Sequence, residues 1–459
     1  MSKTERRAAV SLAGIYSLRM MGLFMILPVF ALYAEHLEGV TPTLVGLAVG
    51  IYGLTQALFQ IPFGMLSDRF GRKPMIALGL LIFALGSVVA AMSDTMLGVI
   101  LGRALQGAGA IAAVVMALTA DLTREENRVK AMSIIGISIG ASFAGSLVAG
   151  PFLNTLIGVQ GIFWMTGILA LLAIVALYTV VPTPISSRFH RDAQPIPAQF
   201  KTVLFNPELL RLNAGIFILH SVLTSTFVVM PLVLRDQMGI AAEGHWYVYL
   251  PVMLVAFIGM VPFVIVAEGK RRIKQVFAGA IGTMVLAEVL LVTELHSMVF
   301  LLAALVLFFV AFNVLEAILP SLIVKVAPSH IKGTAMGVYS TSQFLGAFCG
   351  GVMGGTLFGH FGVESVFIFA TLMLMLWLSL AATMRSPRYL GSFMVRVGPV
   401  DEERAHQLVI EFTKIPGVAE AVVIPEDQIA YLKVDNKSVD RDALMKYSVD
   451  VVEHDPDKK

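Results

Sequence analysis

Charged residues are scarce in this sequence, and cysteine is almost absent. Aspartate, glutamate, lysine and arginine make up 14% of the 459 residues, whereas 57% are hydrophobic. Soluble globular domains carry about 25% charged residues, so this composition excludes a protein that is soluble along most of its length. The single cysteine, Cys349, excludes an intramolecular disulfide and any metal site built from several cysteines.

Several functional motifs are also missing. No G-x-x-x-x-G-K-[ST] sequence occurs, which leaves nucleotide-driven transport unsupported. A channel would show rings of charged residues or a filter repeat, and the sequence contains neither. No pattern indicates an enzyme, a cofactor or a nucleic-acid partner, and we expect none of these.

Long apolar runs dominate the sequence instead. A bilayer core about 30 Å thick needs roughly 20 apolar residues in a helix, and twelve such runs alternate with short polar breaks. The first run is too long for the hydrophobic region of a signal peptide, so we expect it to be retained. The runs cover residues 11–33, 42–66, 74–92, 96–120, 131–157, 161–182, 210–233, 244–267, 275–294, 298–324, 334–360 and 364–384. The sequence therefore predicts an all-α, multi-pass membrane protein, with the lipid bilayer as a partner.

Basic residues fall on alternate breaks between these runs. The opposite breaks carry only one, Arg235. The basic breaks lie at residues 3–7, 69–73, 124–130, 188–201, 270–274, 325–332 and 385–388. Because positively charged loops next to membrane spans stay in the cytoplasm, this pattern predicts that both termini are cytoplasmic.

The chain divides into two related halves. Residues 183–207 are rich in proline and show no helical periodicity, and six apolar runs lie on each side of them. Pro62 and Asp68 in the first half match Pro262 and Glu268 in the second, at an offset of 200 residues. Parallel repeats of this kind place a binding site near the bilayer midplane between the halves. The predicted units are a six-helix bundle at 1–182, a cytoplasmic linker at 183–207, a second bundle at 208–385 and a soluble domain at 386–459.

Residues 64–74, GMLSDRFGRKP, lie between the second and third runs. This stretch resembles the cytoplasmic signature between helices two and three of the major facilitator superfamily. Gly22 and the 103–107 sequence RALQG resemble the first- and fourth-helix motifs of its drug/proton antiporter group. In the fifth run, however, Gly150-Pro151 is not followed by the glycine pair of the antiporter signature.

The resemblance implies the major facilitator fold, twelve transmembrane helices in two six-helix repeats. It also implies a location in the bacterial cytoplasmic (inner) membrane and coupling of a small-molecule substrate to protons. Arg103 resembles the fourth-helix arginine that the family links to proton coupling.

Polar residues inside the apolar runs are the candidates for a substrate and proton pathway. A charge in the hydrocarbon core costs at least ~2.5–3.5 kcal/mol and so faces a cavity or a partner. The candidates are Arg19, Tyr52, Gln56, Arg103, Gln106, His220, Asn313, Glu316, Tyr339 and Gln343.

Among these candidates, Glu316 is interpreted as a carboxylate that alternately binds a proton and a cationic or polar substrate. The alternative is a structural glutamate that is permanently paired. Arg19 and His220 are expected in the same half of the membrane as Glu316, and for each of them a structural role stays open. The polar faces of runs two and eleven, which carry Tyr52 with Gln56 and Tyr339 with Gln343, are expected to line a cavity. Polar hydrogen bonds between helices are the alternative for them.

The charged stretch between runs two and three is also a candidate conformational latch. We expect Asp68 to face the N-terminal end of the eleventh helix near Gly333 and Thr334, where the helix dipole favours a carboxylate. Asp121 is the expected partner of Arg72. The latch set is completed by Gly64, Arg69, Gly71 and Lys73.

The tail from about residue 393 is charged and soluble in composition. Its alternation of apolar residues predicts a βαββαβ order, which is the ferredoxin-like pattern of a small α+β domain. The tail resembles heavy-metal-associated domains, but Val397 to Asp401 stand where those domains carry a Cys-x-x-Cys loop, so no metal is expected there. Regulation, self-association, ligand binding and a passive folding role all stay open for it.

Two functional classes follow. The first is a proton-coupled exporter of small amphipathic or drug-like molecules that works by alternating access. The second is a non-transporting membrane sensor that signals through the soluble tail.

Overall fold

Long helices account for the apolar runs. The computed structural model describes residues 1–183, 199–328, 331–384, 390–425, 427–435 and 438–449. Residues 184–198 of the predicted linker therefore lie outside the described part. The helices are α1 Lys3–Phe24, α2 Phe30–Ala34, α3 Pro42–Phe70, α4 Arg72–Ala91, α5 Met96–Ala108, α6 Ala112–Asp121, α7 Glu125–Thr179, α8 Phe200–Leu204, α9 Pro207–Asp236, α10 His245–Gly269, α11 Ile273–Thr293, α12 Met298–Val326, α13 Lys332–Phe361 and α14 Val363–Ala382.

All twelve predicted membrane spans lie on these helices. Ten helical segments of the described chain are long and apolar enough to cross a bilayer, with α5 and α6 counted together as Met96–Asp121. One of them, α7, turns at Gly158, whose φ of 67° and ψ of 173° break the helix, so it holds two of the predicted spans. The first span consists of α1 and α2, which are separated around Pro28. Proline lacks the N–H that continues a helix.

The internal repeat is visible in the backbone. Gly71, between α3 and α4, has a φ of 92°, and Arg271, 200 residues later between α10 and α11, has a φ of 55°. A positive φ is uncommon for a residue other than glycine. Two connections at equivalent positions of the halves therefore share an unusual conformation, which supports duplication of a six-helix unit. The short helix α8 lies in the predicted linker, where the sequence showed no helical period.

The two halves meet tightly along α3 and α13. A Cβ atom on Gly46 would lie 2.0 Å from the carbonyl oxygen of Gly351, and one on Gly50 would lie 2.7 Å from the carbonyl oxygen of Phe348. Further along the same antiparallel pair, Gln60 Nε2 donates a hydrogen bond to Thr341 Oγ1 at 2.6 Å. The contact between the halves is therefore closest at the end of the bundle where α3 begins. We call this the outer end, and the end that carries residues 64–74 the basic end.

The C-terminal residues form a separate α+β unit. Its strands are β1 Gly391–Arg396, β2 Val418–Ile424 and β3 Ile429–Val434, in an antiparallel sheet of order β1-β3-β2. The helices α15 Glu402–Thr413 and α16 Arg441–Met445 follow β1 and β3, and Leu408 and Phe412 pack with Leu432 in the core. The predicted last strand at 448–453 lies mostly outside the described residues, although Val449 N donates to Arg396 O at 2.9 Å, beside β1.

Candidate functional site

The first half contains a buried polar cluster around Tyr52 on α3. Arg19 of α1 and Arg103 of α5 are 1% and 0% exposed, and their guanidinium carbons lie 5.4 Å and 5.2 Å from the centre of the Tyr52 ring. Arg19 Nη2 donates a hydrogen bond to Gln56 Oε1. Arg103 Nη1 donates to Gln106 Oε1 at 2.9 Å. Five predicted pathway residues therefore lie together in one half.

The second half contains a different cluster. His220 of α9 lies 2.8 Å from Gln343 Nε2 of α13 and 3.5 Å from Glu316 Oε1 of α12. The Glu316 side chain is 31% exposed, whereas Tyr339 and Asn313 are almost completely buried. A partly exposed carboxyl group inside a mostly apolar helix can exchange a proton. The neighbouring His220 imidazole can donate to the carboxylate or accept from the protonated acid, and the Gln343 amide contacts that imidazole.

The pathway candidates thus separate into two groups. Glu316 and His220 lie together in the second six-helix unit. Arg19 instead belongs to the Tyr52 cluster, and its hydrogen bond goes to an amide of its own half. Glu288, on α11, is fully buried and accepts a hydrogen bond from Thr226 Oγ1 at 3.1 Å, apart from both groups.

An aromatic contact between the halves was not anticipated from the sequence. The Phe143 ring of α7 lies 5.0 Å from Phe24 of α1 and 5.2 Å from Phe312 of α12. Phe312 in turn lies 6.0 Å from the His220 ring. The two halves therefore meet through aromatic rings directly beside the Glu316 cluster. With 29 phenylalanines in the chain, composition gave no means of selecting these three.

The latch residues form a compact network at the basic end. Arg72 is buried and donates to three acceptors, Asp68 at 2.6 Å, Ser67 Oγ at 2.5 Å and Asp121 at 3.2 Å. Lys73 Nζ donates to the carbonyl oxygen of Val181 at 2.7 Å. The expected pairing of Arg72 with Asp121 is therefore present.

The remaining latch residues shape the same corner. Gly71 provides the positive φ between α3 and α4, and a Cβ on Gly64 would lie 3.3 Å from Ala113. The guanidinium of Arg69 lies over the Phe70 ring at 5.6 Å. On α13, Gly333 is buried, and Thr334 Oγ1 donates to Gln199 Oε1 at 2.9 Å. The expected contact of Asp68 with α13 is not among the ion pairs and hydrogen bonds of the described residues, where the Asp68 carboxylate pairs with Arg72 and is 40% exposed.

An ion pair joins the halves at the outer end. Arg235 at the end of α9 donates to both carboxylate oxygens of Glu35, at 2.5 Å and 2.8 Å, and also to Asp236. The one basic residue of the outer breaks is therefore bound to the other half of the molecule. In this structure the halves are joined at the outer end, while Asp68 at the basic end bonds within its own half.

Comparison with known proteins agrees with this architecture. The sequence model described as Major Facilitator Superfamily matches residues 12–350 and 269–394. The chain is 48% identical, over 96% of its length and 97% of the relative, to the inner membrane transport protein YajR of Escherichia coli (strain K12). The chain belongs to the major facilitator superfamily. It is a transporter homologue whose helices lie in a bilayer, and the YajR relative is an inner-membrane protein.

More distant similarities exist in sequence and in structure. The chain is 26% identical, over 81% of its length and 94% of the relative, to multidrug resistance protein 1 of Bacillus subtilis (strain 168). A solved structure of a bacterial homologue of the human lysosomal transporter Spinster has a TM-score of 0.69. It covers 83% of this chain and 97% of its own at 14% identity, so it shows the fold alone.

In this major facilitator chain the C-terminal unit contacts the basic end of the second half. Lys433 on β3 is 4% exposed, and its Nζ donates to the carbonyl oxygens of Lys325 at 2.9 Å and Val326 at 3.4 Å, in the last turn of α12. The carbonyl end of a helix favours a cation. Burial lowers the pKa of Lys433, and Glu420 opposes that shift. Arg271 lies 3.9 Å from Asp435 at the same contact.

Proposed function

We propose that the protein is a proton-coupled secondary transporter that exports small amphipathic or drug-like molecules by alternating access. The observation that carries this proposal is the Glu316 cluster. It contains a partly exposed carboxyl group, an imidazole and an amide of the second unit, beside the contact of Phe312 with Phe143 of the first unit. A parallel repeat is expected to bind its substrate between its two units. The similarity to a multidrug resistance protein supports the substrate class.

Glu316→Gln is expected to abolish the coupling of transport to a pH gradient. Glutamine keeps the size and hydrogen-bonding capacity of the side chain but cannot release a proton. The measurement uses proteoliposomes with an imposed pH gradient and an internal pH dye, to which a panel of amphipathic compounds is added. We expect compound-dependent proton movement with the wild type and at least a tenfold loss with the variant.

The matched control is Glu294→Gln, which changes an exposed glutamate at the end of α11 and is expected to leave proton movement unchanged. Proton coupling that persists in Glu316→Gln would refute the role of Glu316. If no compound in a broad panel produces proton movement with the wild type, the exporter proposal fails and the sensor alternative gains.

We further propose that the basic end is cytoplasmic and that residues 64–74 form a latch in the outward-open state. The antiparallel register of α3 and α13 supports the latch. Gly50 lies level with Phe348, and Gln60 lies level with Thr341. Continued for eight residues, the register brings Asp68 level with Lys332 to Thr334, at the N-terminus of α13, where a carboxylate is favoured by about 0.3–1 kcal/mol.

Asp68→Asn is therefore expected to favour opening at the basic end by about two- to fivefold, because an amide loses most of the dipole interaction. Double electron–electron resonance measures the opening as the distance between spin labels at Val180 and Val324, in a Cys349→Ser background. Both positions are exposed at the basic end. We expect a larger population of long distances in the variant. An unchanged distance distribution would count against the latch.

A further inference from the structure

Charges inside the bilayer are segregated between the two halves. The six predicted spans between residues 11 and 182 contain two arginines, Arg19 and Arg103, and neither aspartate nor glutamate. The acidic residues well inside the spans, Glu288 and Glu316, both belong to the second half. The first half therefore holds two buried positive charges that its own spans do not neutralise.

The immediate neighbours of these arginines are neutral. In the described part of the chain, Arg19 bonds to Gln56 and packs on the rings of Tyr52 and Phe83, and no carboxylate lies within ion-pair distance of its guanidinium. Arg103 bonds to Gln106 and to the carbonyl oxygen of Ala48 at 3.4 Å. Contact with aromatic faces stabilises a cation but leaves its N–H groups without acceptors.

The cluster has a surplus of buried donors. Five atoms have no hydrogen-bond partner within the described structure. Four are nitrogen donors that cannot accept a hydrogen bond, and the fifth is a phenol hydroxyl. They are Arg19 Nε, Arg19 Nη1, Arg103 Nη2, Gln56 Nε2 and Tyr52 Oη. Buried donors left unmatched are costly. A group that complemented these donors would need several hydrogen-bond acceptors and, next to two arginines, a negative charge.

We propose that this cluster binds the anionic head of the transported molecule, a carboxylate, sulfonate or phosphate attached to an apolar body. The inference rests on the proposed transport function and narrows its substrate class. Arg19 provides the paired N–H groups that suit an oxyanion, and Arg103 with Tyr52 completes the donor set. The cluster is closed to solvent in this conformation, so the anion binds when Gln56 moves away from Arg19.

The test uses the purified full-length protein in a neutral detergent, without a pH gradient. Thermal unfolding is followed while sodium benzoate, sodium benzenesulfonate or benzamide is added at constant ionic strength. Benzamide has the shape of benzoate but no charge. We expect wild-type protein to bind the two anions at least tenfold more tightly than benzamide.

Arg19→Gln is expected to remove this preference, and Arg6→Gln, which changes an exposed arginine near the start of α1, is expected to keep it. Should Arg19→Gln fail to fold, Gln56→Glu provides an independent test, because it places a carboxylate against Arg19 from within the chain. That variant is expected to unfold at a higher temperature and to lose the preference for anions.

Equal affinity of the wild type for benzoate, benzenesulfonate and benzamide would overturn the proposal and leave water as the occupant of the cluster. An anion preference that survives in Gln56→Glu would overturn it as well. This assay measures binding and not proton movement. It therefore decides whether the cluster prefers anions even if the proposed proton coupling fails.

Discussion

Arg72→Ala is expected to destabilise the protein by about 3–5 kcal/mol, the cost of removing one partner from a buried ion pair. The side chains of Arg72 and Asp121 are 2% and 0% exposed, and the guanidinium connects Asp121 on α6 with Asp68 and Ser67 on α3. Its loss leaves the buried Asp121 carboxylate without its arginine. The measurement is the unfolding temperature in detergent, together with the fraction of monodisperse protein after extraction.

The same motif supplies the control. Arg69 is exposed, so Arg69→Ala is expected to change stability by no more than about 0.5 kcal/mol. Arg72→Lys is expected to lose less stability than Arg72→Ala, because lysine keeps a positive charge near Asp121, but more than Arg69→Ala, because a compact ammonium does not match the geometry of the planar guanidinium. Equal effects of the changes at Arg69 and Arg72 would show that burial of the ion pair does not decide the outcome.

Gly46→Val is expected to open the outer end of the bundle. The first added carbon would lie 2.0 Å from the carbonyl oxygen of Gly351 and 3.0 Å from Gly355 Cα, so the backbones of α3 and α13 must separate. Overpacking of this kind costs about 1–3 kcal/mol. That free energy corresponds to a ~5–150-fold shift in the equilibrium between the two states.

Spin labels at Val40 and Tyr247, both exposed at the outer end, measure this shift as a gain of long distances in a Cys349→Ser background. The matched control is Gly279→Val, because an added carbon at Gly279 meets no atom within 4 Å. A Gly46→Val variant with the wild-type distance distribution would show that α3 and α13 do not form the outer closure.

Hydropathy predicted the helices well because a bilayer imposes one length and one polarity on every span. The offset between Asp68 and Glu268 likewise predicted a repeat that the positive φ values of Gly71 and Arg271 support. These features depend on local sequence. The motif in residues 64–74 also predicted membership of the major facilitator superfamily, which the comparisons confirm.

The site was predicted less completely because sequence gives the depth of a residue in the membrane more readily than the direction in which its side chain points. Arg19 and Glu316 were both placed at a similar depth, yet Arg19 bonds to Gln56, while Glu316 lies beside His220. The rotation of each helix about its axis is set by packing between distant segments, such as the ring contact of Phe143 with Phe312.

Interfaces between the halves were the least predictable part. The sequence contains 40 glycines, and nothing local distinguishes Gly46, which meets the other half, from Gly350, which packs on Ser221 within its own half. The pairing of Arg235 with Glu35 joins residues 200 positions apart. Such contacts depend on the conformation adopted by the two halves.

The position of Lys433 has a consequence for oligomers of this protein. The face of β3 that carries Lys433 is occupied by the last turn of α12, so the same face cannot simultaneously contact a second copy. Any dimer formed through it must be linked to release of α12. For such a dimer, mass action would make the released fraction rise with the amount of protein in the membrane, and the helix released is the one that carries Glu316.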